Sequence, residues 1–133
     1  MRLVQVEGIG PKYLKQLKTL EIATTEKLLE MGKTRKGRSE IAEKTGIPEK
    51  LILEWVNHSD LCRIKGVGEE FSDLLEEAGV DTVAELAQRS PENLYNKMIE
   101  VNNEKKLVRR TPYKNSVEDW VKQAKKLPRM VEY

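Results

Sequence analysis

"VEGIGPKYLKQL" at residues 6–17 and "IKGVGEEFSDLL" at residues 64–75 are two versions of one pattern: glycine, one apolar residue, glycine, then an amphipathic start. A glycine can end one helix and open the next, so each stretch reads as a tight turn between helices. The first glycine of each, Gly8 or Gly66, can take a positive φ that a side chain resists. Ile9 or Val67 then plugs a core. The second glycine, Gly10 or Gly68, leaves the next helix N-terminus open, with its N–H groups and positive dipole end outward. Such an end suits a phosphate oxygen and requires no base contact.

The pattern is part of a longer repeat. An offset of 58 residues carries Gly8 onto Gly66 and Gly10 onto Gly68, and also Tyr13 onto Phe71, Leu17 onto Leu75, Thr24 onto Thr82 and Leu28 onto Leu86. "WVNHSDLCRI" at 55–64 answers "WVKQAKKLPRM" at 120–130, with one residue inserted. This describes one domain made of two repeats, 1–63 and 64–133, with four helices in each. Only seven residues precede Gly8. A faithful duplication therefore places the Trp120 helix beside the first turn, where a helix is otherwise missing, and brings "RMVEY" near "RLVQV".

Apolar spacing supports an all-α fold of about eight short helices in two pseudo-symmetric halves. Tyr13, Leu14, Leu17 and Leu20 recur at three and four residues, as one helix face requires. Thr24 or Thr25 can cap a second helix that stops at Gly32, Ser39 can cap "EIAEKT", and Pro48 can open "PEKLILEWVNHSDL". "RLVQV" is the single short candidate for a strand. Sparse aromatics (5%) and abundant charge (35%) fit small amphipathic helices better than an aromatic-rich sheet. The lone Cys62 excludes an intrachain disulfide and fits a reducing compartment. No stretch of about 18 apolar residues occurs, and the first residues lack a signal-peptide core. A cytoplasmic protein without a membrane partner is expected.

The net charge of +2 conceals a divided chain. Residues 1–38 hold nine Lys and Arg against four Glu, residues 64–104 three against ten acids, and residues 105–133 nine against three. Lys12 stands just inside the first turn's helix, with Lys15 and Lys18 beyond it; Glu69 and Glu70 stand at the equivalent place in the second. Carboxylates there stabilise the helix but repel a phosphate. The first turn is the one expected to face nucleic acid, and the second (Gly66, Val67, Gly68) to be structural or partner-facing. "KTRKGR" adds Lys33, Arg35, Lys36 and Arg38, either as a solvated loop or as phosphate contacts. Lys122, Lys125, Lys126 and Arg129 join the same face if the Trp120 helix lies beside it. The "KKLVRR" run at 105–110 reads as a solvated helix face.

The Gly-apolar-Gly turns resemble the helix-hairpin-helix superfamily over residues 6–20 and 64–78. That resemblance implies sequence-independent binding of duplex DNA along its backbone. The superfamily often carries Ala four residues after the second glycine, where Leu14 and Ser72 stand here. Through "TRKGRSEIA", "GIPEKLILEWVN", "RIKGVGEEF" and "EKKLVRRTP", the whole chain resembles a prokaryotic family designated domain of unknown function, number 4332. That family implies a fold and no activity.

Other motifs carry less. Gly-Lys-Thr at 32–34 mimics the end of a phosphate-binding loop, but Lys27 stands where such a loop needs glycine. Residues 38–56 resemble a helix-turn-helix whose second helix opens on Pro48, Glu49, Lys50 and an apolar "LIL", the wrong chemistry for reading bases. His58 and Cys62 are two ligands where a structural zinc site takes four, and one histidine assembles no nucleophile–base set. The expectation is a non-catalytic module without metal or cofactor. Duplex DNA and other proteins of DNA metabolism are the expected partners, with Gly8, Ile9, Gly10, Lys12, Lys15, Lys33, Arg35, Lys36 and Arg38 as the expected DNA contacts. The alternative is a protein–protein adaptor on the same fold.

Overall fold

Threonine and serine side chains start half of the helices. Thr24, Thr34, Thr82 and Ser90 each accept a hydrogen bond from the backbone N–H three residues on, so four α-helices begin on side-chain caps. Each such cap contributes about 1 kcal/mol. The computed structural model describes residues 1–6 and 8–133. Among the described residues it contains eight α-helices and no strand: α1 (Pro11–Lys18), α2 (Thr25–Gly32), α3 (Arg35–Thr45), α4 (Glu49–Leu61), α5 (Glu69–Glu77), α6 (Val83–Ala87), α7 (Pro91–Lys105) and α8 (Lys114–Lys126). The all-α expectation is met. "RLVQV" is not a strand: Leu3–Gln5 form a 3-10 turn, and only Arg2 makes a bridge, to Thr24.

The chain divides into two compact units. The first is Met1–Asp60 with Met130–Tyr133; the second is Leu61–Arg129.

In the first unit, Leu3, Val6, Ile9, Leu17, Ile22, Leu28, Ile41, Ile52 and Trp55 form one buried cluster, which Val131 joins from the far end of the chain. Tyr13 packs on Trp55 with ring centroids 5.4 Å apart and planes tilted by 57°. Tilted aromatic pairs add about 0.5–1.5 kcal/mol beyond the burial of their area. The last residues are held by polar contacts as well. The Glu132 N–H donates to the Lys33 carbonyl at 2.8 Å, and the Arg38 guanidinium donates to the Glu132 carbonyl at 2.6 Å. "RMVEY" and "RLVQV" thus share one core, as the repeat suggested.

In the second unit, Val67, Leu74, Leu75, Val83, Leu86, Leu94, Met98, Val117 and Trp120 are buried together. Contrary to the expectation from the repeat, α8 packs on the second glycine turn. Trp120 packs on Phe71, centroids 5.3 Å apart, and a Cβ added to Gly66 would stand 3.0 Å from its indole nitrogen. Gln123 completes the attachment, accepting from the Lys65 N–H at 2.9 Å and donating to the Lys65 carbonyl at 3.1 Å. α8 therefore braces the second glycine turn, while α4 braces the first through Trp55. Lys122, Lys125, Lys126 and Arg129 belong with the second unit.

Several local contacts recur at the 58-residue offset. Ile9 N–H donates to Val6 at 3.4 Å and Val67 N–H to Ile64 at 3.3 Å; Ile22 donates to Leu17 at 3.1 Å and Val80 to Leu75 at 2.9 Å.

Candidate nucleic-acid interface

The two glycine turns differ where function would separate them. Gly8 has φ +92° and is exposed, and Ile9 behind it is buried. Gly10 caps α1 with extended backbone, φ −75° and ψ 171°, which any residue adopts, and a Cβ built there meets nothing within 4 Å. Neither backbone geometry nor packing requires glycine at position 10. Its effect is to leave the mouth of α1 without a side chain. Pro11 follows at the first helical position, Gly10 supplies no side-chain cap, and the first helical turn of α1 itself holds no acid. Lys12 and Lys15 are exposed on that helix.

The second turn is built for itself. Gly66 (φ +96°) abuts Trp120 and Gly68 has φ +46°, so glycine serves the backbone at both positions. Val67 is fully buried, and Glu69 and Glu70 occupy the first turn of α5. Carboxylates there neutralise the dipole that an anion would otherwise meet. Acids also stand in the first turns of α2 (Glu26), α4 (Glu49), α6 (Glu85) and α7 (Glu92). α1, α3 and α8 have none. α1 carries Lys12 there and α3 carries Arg35 and Lys36, cations at the helix end where a cation is unfavourable. A bound anion would relieve both.

"KTRKGR" is neither a loop nor four equivalent cations. α3 starts at Arg35, capped by Thr34 and not by Ser39, so the stretch forms the corner between α2 and α3. Lys33, Arg35 and Lys36 are exposed on that corner. Arg38 is a correction: it is only 5% exposed, and its guanidinium donates to the carbonyls of Gly32 (2.9 Å), Lys33 (3.2 Å) and Glu132 (2.6 Å). Burial pushes its pKa below the ordinary arginine value. Those donors tie the end of α2 to the end of the chain, and the side chain is taken out of any phosphate site. The "KKLVRR" run is also no helix face. α7 stops at Lys105, Lys106 caps it in the left-handed conformation, and Val108 is buried beyond.

His58 is buried at 6% exposure, and desolvation holds its pKa below the ordinary value of 6.5. The unfolded chain takes up a proton near that pH while the folded ring stays neutral. Stability is thus complete above about pH 6.5 and falls as pH drops, by at most about 1.4 kcal/mol per unit from this group. The urea midpoint is expected to decline from pH 7 to 5.5, and His58→Gln to flatten that decline. An equal decline in the variant would assign it to carboxylates instead. No group of three or more His, Cys, Asp and Glu side chains suited to a metal occurs among the described residues, and no described helix is long and apolar enough to cross a membrane.

One feature was missed in the sequence. A groove of about 450 Å³ runs along α1, lined by Arg2, Val4, Pro11, Leu14, Lys15, Lys18, Ile22 and Ala23. Leu14 is half-buried along it, and Val4 is 63% exposed.

A family model described as a domain of unknown function, DUF4332, matches residues 7–127. The chain belongs to the DUF4332 family. Neither a curated protein nor a solved structure matches it. In this DUF4332 chain both glycine turns and all eight helices fall within the matched span; the Arg2 and Val4 side of the groove and the Val131 segment lie outside it.

Proposed function

We propose that this protein is a non-catalytic tandem helix-hairpin-helix module that binds the backbone of duplex DNA without sequence preference, mainly through the Gly8–Gly10 turn. The observation that carries this reading is the contrast at the second glycine. Gly10 is glycine without a backbone or packing need and opens onto a helix end bearing Lys12, whereas Gly68 has a positive φ and leads into Glu69 and Glu70. The N–H groups at the start of α1 are the phosphate donors. Lys12 and Lys15 supply adjacent charge, and Lys33, Arg35 and Lys36 supply long-range support from the α2–α3 corner. The second turn is structural. The offset-related contacts of the two units support reading them as two copies of one motif.

Fluorescence anisotropy of a labelled duplex of arbitrary sequence tests this. With about three phosphates engaged, the association constant falls roughly fortyfold between about 50 and 200 mM salt. Lys12→Glu abolishes the signal at the higher salt, and Glu70→Lys strengthens it. Gly10→Val keeps the fold, costing about 1 kcal/mol or less as a changed cap, yet blocks the mouth and weakens binding at least tenfold. Absence of binding at low salt, or wild-type affinity in both Lys12→Glu and Gly10→Val, would sink the proposal.

A further inference from the structure

The groove beside α1 has the wrong chemistry for a phosphodiester and the right chemistry for a different partner. Its lining is apolar at Val4, Pro11, Leu14, Ile22 and Ala23 and cationic at Arg2, Lys15 and Lys18, with no acidic residue among the described lining residues. Its volume is about 450 Å³. Lys15 and Lys18 stand one turn apart on α1, so carboxylates one turn apart on a facing helix, about 5–6 Å from each other, can meet both.

We infer that this groove receives an acidic amphipathic helix from a partner protein. The partner's apolar side chains pack on the apolar lining, and its carboxylates pair with Arg2, Lys15 and Lys18, in the helix-in-groove mode. Charge complementarity selects an acidic partner, and the apolar lining selects one with leucine-like side chains beside the acids. A second copy of this chain offers no such segment. Its acidic stretch, residues 64–104, exposes no large apolar side chain: the exposed ones are Val4, Leu107, Tyr113 and Tyr133, and α5 keeps Leu74 and Leu75 buried. The inference does not depend on DNA binding, although Lys15 is shared with that site.

The probe is a labelled helical peptide with leucines along one face and glutamates flanking them, titrated with the full chain. Controls are a peptide of the same composition in scrambled order and one with lysine in place of each glutamate. The expected result is saturable binding of the first peptide, at least tenfold tighter than either control. Val4→Asp and Lys18→Glu, both at exposed positions, lower that affinity at least tenfold, while Gly10→Val leaves it unchanged. Duplex binding moves the other way: it survives Val4→Asp and weakens in Gly10→Val, so the two sites succeed or fail separately. Equal binding of the scrambled peptide would reduce the contact to nonspecific charge and overturn the inference. So would wild-type affinity in Val4→Asp, or self-association of the chain that Val4→Asp abolishes.

Discussion

Gly37→Ala costs about 3 kcal/mol or more of stability, although alanine is the better helix former by about 1 kcal/mol. Gly37 is the third residue of α3, donating its N–H to the Thr34 hydroxyl at 3.0 Å. A Cβ there would lie 2.0 Å from the Met31 carbonyl oxygen and 3.2 Å from its carbon. These are backbone atoms of α2, so no rotamer change relieves the contact. The α2–α3 corner must open, and with it the shelf on which Arg38 reaches Gly32 and Lys33. Overpacking of this kind normally costs about 1–3 kcal/mol and more where backbone must move. Urea unfolding checks the size, with Gly10→Val as the control within about 1 kcal/mol. Equal midpoints for Gly37→Ala and the wild type would refute the corner geometry.

Trp120→Ala costs about 3–5 kcal/mol, the usual range for removing a buried tryptophan. Trp120 is 2% exposed, packs at a tilt against Phe71 and walls the Gly66 turn. Its loss empties the space where α8 meets the second turn, and nearby side chains fill it only in part. Hydrogen exchange locates the effect: amides from Ile64 to Leu75 and along α8 lose protection. A helix braced against the first turn would instead expose the amides from Gly8 to Leu17. A loss below about 1 kcal/mol, or exchange confined to the first turn, would contradict the packing described.

Most of the fold was legible because its signals are local. Glycine turns, threonine caps and three-and-four spacing identify α1, α2, α4 and α5 with little help from distant contacts. The errors came where local chemistry had two solutions. Ser39 and Thr34 can both cap, and Thr34 wins because α3 extends back to the α2 corner, where Gly37 lets the backbones approach. Arg38 sits among cations in sequence, yet its partners are three carbonyls, one of them 94 residues away; no local pattern reports such a pairing. For the Trp120 helix, the repeat fixes which residues correspond and leaves open which copy supplies a neighbour; the neighbour is Phe71 of its own half. At the candidate site, the charge contrast between Lys12 and Glu70 was plain in the sequence. The backbone contrast between Gly10 and Gly68 was not, since both are written as the same letter.

The return of Val131 to the first core makes that unit discontinuous along the chain. During synthesis, the usual order is for the N-terminal unit to finish first. Here Leu3, Val6 and Ile9 wait for a side chain made only after all of Leu61–Arg129 has been added, an interval of roughly several seconds at ordinary elongation rates. The unit made first is the one completed last. Until then Arg38 lacks its Glu132 acceptor and the first core lacks Val131.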